Sequence, residues 1–506
     1  MNRKIGVILS YVLMVFEILS TLLLTPFILS TLGQAEYGVY RLSGSIVAYL
    51  LILDLGVGNA QIRFMSKYRA NNDTVQLHKF FGVSIIYYII IALVALIVGL
   101  VLLAVFPTLF AKGFSPEEIV LGQKLLFVTL LTTFVIIATT PFTNTLIAYE
   151  RFFASKCSAI ISAIAKIVFT FIGLTLGFGS VGIVVINLLI TFASKFFYVF
   201  YVFVKLKLKP IFKGISFDFV KEIIVYSSFI LLQMIATQIN SGIGQILLGT
   251  LVKSAAAIIG VYSVGLQIVQ YYQTIGSSIT GVLMPGIVKM TESKPQPRQL
   301  CDEMIRIGRL IFMVLLLIFI GFLLYGKQFI TLWVGYENIE AYGVAVILFA
   351  AYMFVLTQSV GSQILWAKGE HKEQSILKIA IVILNIFVTV LLMQLNALYG
   401  VVLGTFISLV MGEVVLLNII FKKKIGISLS QYYRGLFKGF IPCAITTWVA
   451  GYLFGLLQLS GWIGLCCNIL FTIITYCSSM WFVGMNKYEK NLISEIFKNI
   501  FRRVVK

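Results

Sequence analysis

The chain predicts an all-α integral membrane protein of about fourteen transmembrane helices, arranged as two parallel six-helix lobes around a central cavity plus two C-terminal helices. Three features predict it: composition, the lengths of the apolar runs, and a weak internal repeat. Of 506 residues, 60% are hydrophobic and 11% charged, and the mean hydropathy is +1.01. A soluble domain carries roughly 25% charged residues to solvate its surface, so most of this surface must face lipid. A soluble enzyme, a secreted disulfide scaffold and a disordered chain are excluded.

Crossing about 30 Å of hydrocarbon takes about 20 residues of helix. Runs that meet this length lie near 5–31, 40–66, 79–105, 118–147, 152–176, 181–204, 221–250, 256–288, 302–325, 340–367, 374–394, 397–421, 434–457 and 460–484. The first is too long for a signal-peptide core and lacks a small-residue cleavage site, so it is expected to stay in the membrane. The connections are too short to hold a folded catalytic domain.

The excess of 39 Lys and Arg over 19 Asp and Glu gives a net charge of +20. With the N-terminus inside, 32 of the 39 cations fall on the cytoplasmic side, the distribution that membrane insertion favours. The charge therefore reports topology and attraction to anionic lipid, not nucleic acid. Both termini are expected to be cytoplasmic.

The repeat lies at constant spacing. Gly38-Val39-Tyr40 recurs as Gly260-Val261-Tyr262, Leu146 to Ala148 as Leu365 to Ala367, and Gly182-Ile183-Val184 as Gly400-Val401-Val402, at offsets of 222, 219 and 218. An offset of six helices preserves orientation, which makes the halves parallel repeats about an axis along the membrane normal. The expected parts are an N-terminal lobe at 1–210, a second lobe at 211–425, two additional helices at 426–485 and an amphipathic basic tail at 486–506. In the tail, Leu492, Ile493, Ile496, Phe497, Ile500, Phe501 and Val504 recur at helical spacing against Lys490, Lys498, Arg502, Arg503 and Lys506. That describes either a helix on the cytoplasmic membrane surface or one docked onto cytoplasmic loops.

Lipid penalises polar side chains, so polar stripes should face protein or water. Gln267, Gln270, Tyr271, Thr274, Ser277 and Ser278 mark one face of the eighth run. Thr139, Thr140, Thr143 and Asn144 in the fourth correspond to Gln358, Ser359, Ser362 and Gln363 in the tenth, and Gln233, Thr237, Gln238, Ser241 and Gln245 band the seventh. Either they hold the bundle together or they line a hydrated cavity, and the length of the stripes favours the cavity. Ionisable residues inside spans are Glu17, Asp54, Lys166, Lys195 and Glu413. Asp54, followed by Gly56 and Gly58, and Glu17 could bind a coupling cation or pair with lysines. Lys166 and Arg41 could neutralise an anionic head group. Lys195 and Glu413, nearer the cytoplasmic side, are explained by snorkelling.

No metal or cofactor site is indicated. His78 and His371 are the two histidines, and the six cysteines (Cys157, Cys301, Cys443, Cys466, Cys467, Cys477) form no C-x-x-C pair. The GVGNAQ segment lacks the third glycine of a dinucleotide fingerprint and lies inside a membrane run, and no catalytic motif appears.

The stretches TLLLTPFILSTLGQAEYGVYRLSGSI and LILDLGVGNAQIRFMSKYRA, with NTLIAYERF and IGVYSVGLQIV further on, resemble bacterial Wzx-type polysaccharide transporters of the multidrug/oligosaccharidyl-lipid/polysaccharide (MOP) exporter superfamily. The resemblance implies two lobes around a V-shaped cavity, alternating access, and no enzymatic activity. Its substrate would be an undecaprenyl-pyrophosphate-linked oligosaccharide moved to the outer leaflet of the bacterial plasma membrane for O-antigen, capsule or exopolysaccharide synthesis. It also implies a polysaccharide polymerase and chain-length machinery as partners. On that expectation Arg41, Lys166 and Arg63 would hold the pyrophosphate. Gln267, Gln270, Tyr271, Thr274, Ser277, Thr143, Asn144, Ser362, Gln363 and Gln238 would line the sugar cavity, and Asp54 and Glu17 would couple an ion. A multidrug antiporter of the same fold would favour more carboxylates and aromatics in its cavity. A membrane-embedded polymerase needs a larger outside loop than the one near 326–339.

Overall fold

The computed structural model describes residues 2–54, 57–212, 217–292, 295–370 and 372–504. Gly56 and His371 lie outside these residues, as do the side chains of Gln233 and of Ile496, Phe497, Ile500, Phe501, Arg502, Arg503 and Val504. Every regular element among the described residues is helical. Eleven described helices are long and apolar enough to cross a membrane, so the chain is a multi-pass membrane protein. Two contact units can be separated: Met1–Ser263 with Met393–Val401, and Val264–Leu392 with Val402–Lys506.

In the first unit, α1 (Asn2–Ala48) covers the first predicted span and the start of the second as two helical stretches that meet at Gly33. The turn expected between them is a kink at Gly33, whose φ of 74° suits a residue without a Cβ. A tight 3-10 segment (Tyr49–Asp54) follows, and the helix resumes as α2 (Val57–Ala70). The predicted span 40–66 is therefore broken next to Asp54. α3 (Thr74–Phe110) starts on an Asp73 side-chain cap, and α4 (Pro116–Ala148) starts on a reciprocal Ser115–Glu118 capping box with proline in its first turn. α5 (Phe152–Thr175) and α6 (Gly179–Phe200, extended by a π turn over Tyr201–Lys205) form a hairpin, α5 against α1 and α6 against α4. α7 (Phe217–Leu251) packs on α1, and the first turns of α8 (Ala256–Glu292) belong to the same unit.

The second unit is centred on α9 (Pro297–Val334), whose buried face receives α10 (Ala341–Thr357), α11 (Ser359–Ala367), α15 (Leu429–Phe437), α16 (Phe440–Gly455) and α17 (Gly461–Ser479). The predicted tenth span is interrupted at Gln358, and the thirteenth at Gly439, where φ is 83°. α12 (Lys372–Met393), α13 (Ala397–Leu409) and α14 (Leu417–Ile420) complete the transmembrane elements, the last two joined and extended by π turns.

The tail helix α18 (Lys487–Val504) is docked at its first turn. Arg309 on α9 meets Glu489 in two bonds, Nε to Oε1 at 2.5 Å and Nη2 to Oε2 at 3.0 Å, with side-chain exposures of 4% and 0%. The remaining guanidinium donors reach the carbonyls of Lys438 at 2.7 Å, Gly435 at 3.1 Å and Gly484 at 2.8 Å. Such full pairing is what makes a buried charge tolerable. Of the two readings of the tail, docking describes its start.

Candidate functional site

The 3-10 segment ends on Asp54, a half-buried carboxylate within the first unit. Asp54 accepts a short hydrogen bond from the Tyr88 hydroxyl on α3 and one from the Gly58 N–H in the first turn of α2. The carboxylate thus caps α2 while pointing into the bundle. Gly58 is the gap that allows this. A Cβ there would lie 3.1 Å from Asn144 Nδ2 and 3.4 Å from both Asp54 Oδ2 and the Tyr88 hydroxyl.

From this gap the polar contacts continue into α4. Asn144 Nδ2 donates to Gln61 Oε1 at 3.0 Å, and Gln61 Nε2 donates to the Pro141 carbonyl at 2.9 Å. Thr143, the neighbour of Asn144, accepts from Lys195 Nζ on α6 at 3.2 Å, and that ammonium also lies 5.2 Å from the Tyr198 ring. Four helical segments thus place one carboxylate, a phenol and two amides around or next to a single-glycine gap, with the Lys195–Thr143 pair beginning one residue along α4. Such a cluster can bind a proton or a small cation at the carboxylate, using oxygen ligands. No cluster of three His, Cys, Asp or Glu residues capable of holding a metal exists among the described residues.

Three of the expected site residues, Asp54, Thr143 and Asn144, are brought together here. Gln61 and Tyr88 join them unforeseen, and Lys195, expected as an ionisable residue inside a span, bonds Thr143. Lys195 does not snorkel, because its head turns to Thr143; Glu413 likewise bonds Lys378 at 3.2 Å with 12% of its side chain exposed. The snorkelling expectation for both is corrected: each has a protein partner within reach, which costs less than stretching to the interface.

The other expected residues are distributed over both units. In the first, Glu17 is exposed on α1, Arg41 is half-buried with its guanidinium 6.0 Å from the Tyr37 ring, Arg63 is exposed on α2, and Lys166 is exposed on α5. Gln238 is half-buried on α7. In the second, buried Gln267 donates to the Tyr271 hydroxyl at 3.0 Å, whereas Gln270 and Ser277 are exposed. The hydroxyls of Thr274 and Ser277 bond carbonyls of their own helix. Ser362 accepts from Gln374 Nε2 at 2.9 Å, and Gln363 is half-buried. Hydroxyls satisfied within one helix need neither a partner helix nor water, so this stripe does not by itself require a cavity.

Solved structures share the fold. A lipid II flippase MurJ in an inward closed conformation aligns with a TM-score of 0.72 at 15% identity, over 97% of this chain and 100% of that one. An inward-facing multidrug resistance MATE family transporter of the MOP superfamily aligns at 0.55 and 16% identity, over 80% and 98%. A MOP superfamily transporter from Pyrococcus furiosus, described as having a binding pocket of reverse polarity, aligns at 0.55 and 17% identity, over 84% and 95%. No curated protein matches the chain. The chain therefore shares the fold of these solved structures.

The sequence matches the family described as lipid II flippase MurJ over residues 49–472. The chain belongs to the MurJ family of lipid flippases. This membership supports the expectation of a lipid-linked flippase, and the Wzx-type specificity suggested by the opening helices goes beyond it.

Proposed function

We propose that the protein is a flippase for a polyprenyl-pyrophosphate-linked saccharide, moving it from the cytoplasmic to the outer leaflet of the bacterial plasma membrane. Membership of the MurJ family across residues 49–472 carries this reading. Within it, an oligosaccharide repeat unit of a surface polysaccharide is the cargo favoured by the Wzx-like opening of the chain. Lipid II, the cargo in the family's description, is the second reading.

The proposed division of labour follows from charge. Arg41, Lys166 and Arg63 neutralise the pyrophosphate. The polar residues Gln238, Thr143 and Asn144 in the first unit, and Gln267, Gln270, Tyr271, Thr274, Ser277, Ser362 and Gln363 in the second, exchange hydrogen bonds with the sugars. Asp54, held by Tyr88 and Gly58, and Glu17 respond to a proton or sodium gradient. Two six-helix lobes would alternate access, with both termini cytoplasmic, and a polymerase with its chain-length machinery would take the delivered unit.

The test is a deletion strain assayed for surface glycan, undecaprenyl-linked intermediates, peptidoglycan synthesis and drug sensitivity. Lost surface glycan with intermediates trapped on the cytoplasmic face supports the repeat-unit reading. Arrested peptidoglycan with trapped lipid II replaces it by the second reading. Intact glycan and peptidoglycan with raised sensitivity to cationic drugs overturns both and assigns the protein to multidrug export.

A further inference from the structure

The first unit also carries a concavity on its α5–α6 hairpin. It is a trough of about 1010 Å³ between α5 and α6. Its floor is made of small side chains, among them Ala154, Ser158, Ala165 and Ala193, and its rim is aromatic, with Phe169 and Phe197. The two serines facing each other across the floor, Ser158 and Ser194, are bonded at 3.1 Å, so the trough presents no unsatisfied hydroxyl there. Its wall on α5 extends from Phe153 to Phe169, about 24 Å of helix at 1.5 Å per residue.

One end of the trough is polar and carries Glu150 and Arg151. Lys156 lies one turn into α5, and Lys205 one turn beyond Tyr201, which lines the same end. Arg151 lines that end beside Glu150, and Lys156 and Lys205, close by in the chain but outside the lining, add positive charge near it, which favours an anion there. A long hydrocarbon slot with a basic mouth is complementary to a lipid with a single extended chain and a phosphate head. Two neighbouring helices leave between them a furrow about one chain broad, since their axes pack about 8–10 Å apart. Small floor residues let a chain sink below the surrounding surface, where it gains contact on three sides in place of the one it would have on a convex helix face.

We propose that the α5–α6 trough seats the polyprenyl chain of the lipid-linked cargo, with its phosphate at the Arg151 end. The proposal rests on the flippase reading above and adds a tail site to it. The cargo would then be held by two separate parts of the chain, its head group by polar residues and its tail by an intramembrane furrow that tolerates any sugar.

Full-length protein in detergent, incubated with undecaprenyl phosphate or phosphatidylglycerol and examined by native mass spectrometry, tests it. Wild type is expected to retain undecaprenyl phosphate. Ala165→Phe and Ala193→Phe, which fill the trough from opposite walls, should each lower retention by about tenfold or more with an unchanged unfolding midpoint. Arg151→Gln should lower it less. A photoreactive polyprenyl phosphate on the unsubstituted protein should label α5 near Ile161 and Phe169 in preference to the exposed Leu93 and Ile97 of α3, which keeps the test open if the filled variants do not fold. Wild-type retention that both filled variants preserve, or equal labelling of α3 and α5, overturns the trough as the tail site while leaving the flippase reading intact. Failure of wild type to retain undecaprenyl phosphate overturns the reading on which the proposal rests. Loss of phosphatidylglycerol alone in the filled variants overturns the proposal by making the trough a phospholipid site.

Discussion

Gly38 and Gly260 cross backbone to backbone. A Cβ on Gly38 would fall onto the Ala256 carbonyl and 3.0 Å from the Gly260 nitrogen, and a Cβ on Gly260 would lie 2.5 Å from the Gln34 carbonyl. The repeat offset of 222 maps Gln34 onto Ala256 and Gly38 onto Gly260. Each contact is thus the image of the other under that offset. The two Gly-Val-Tyr motifs mark a close crossing of α1 and α8 inside the first unit.

Gly38→Val or Gly260→Val must therefore separate α1 from α8. We expect a loss of about 1–3 kcal/mol or more, as for overpacking in a filled core, measured by thermal unfolding in detergent. Gly44→Ala is the control, since nothing lies within 4 Å of a Cβ there. Its expected effect is neutral or a gain of under about 1 kcal/mol from helix propensity. Equal effects at all three positions would show that the crossing is not tight.

Arg309 and Glu489 tie the start of the tail helix to α9. Arg309→Met or Glu489→Gln leaves a buried partner uncompensated and should cost about 3–5 kcal/mol. The double variant Arg309→Met/Glu489→Met should recover part of that loss. Limited proteolysis reads the local consequence: cleavage near Asn486 should accelerate in each single variant and less in the double one. Unchanged cleavage would place the tail's attachment elsewhere.

Arg41 and Lys166 are assigned to the pyrophosphate. Arg41→Ala or Lys166→Ala should abolish export of surface glycan while membrane levels of the protein stay normal, because neither side chain is deeply buried. Unchanged glycan with either variant removes that residue from the role.

Helix positions were largely legible in the sequence because a bilayer-length apolar run admits one solution, a helix with its backbone satisfied internally. The interruptions were legible in part. The gap left between the first two apolar runs holds Gly33, where two helical stretches meet, and the glycines after Asp54 mark a place for close backbone approach. Nothing in local hydropathy marks the interruption at Gln358. The Asp54 cluster was half legible: an intramembrane carboxylate followed by glycines is conspicuous, whereas Tyr88, Gln61 and Lys195 acquire meaning through long-range packing. Lys195 was visible as a charge inside a span, and one further signal bears on its pairing. The offset of 218 that links the sixth and twelfth spans maps it onto Glu413, so the repeat places opposite charges at equivalent positions, each with a protein partner.

Asp54→Asn separates the two roles that geometry gives this residue. An asparagine oxygen can still accept from the Gly58 N–H, and the Tyr88 hydroxyl can turn to accept from the amide NH2, so the cap on α2 survives and folding should change by about 1 kcal/mol or less, asparagine being as good a helix cap as aspartate. The variant loses the charge that would hold a proton or cation. Transport reconstituted in vesicles should then proceed with reduced dependence on an imposed proton or sodium gradient. Tyr88→Phe, which keeps the charge and removes one donor, should shift the dependence without eliminating it. Full gradient dependence in Asp54→Asn would leave the residue a helix cap and move the search for the coupling group to Glu17.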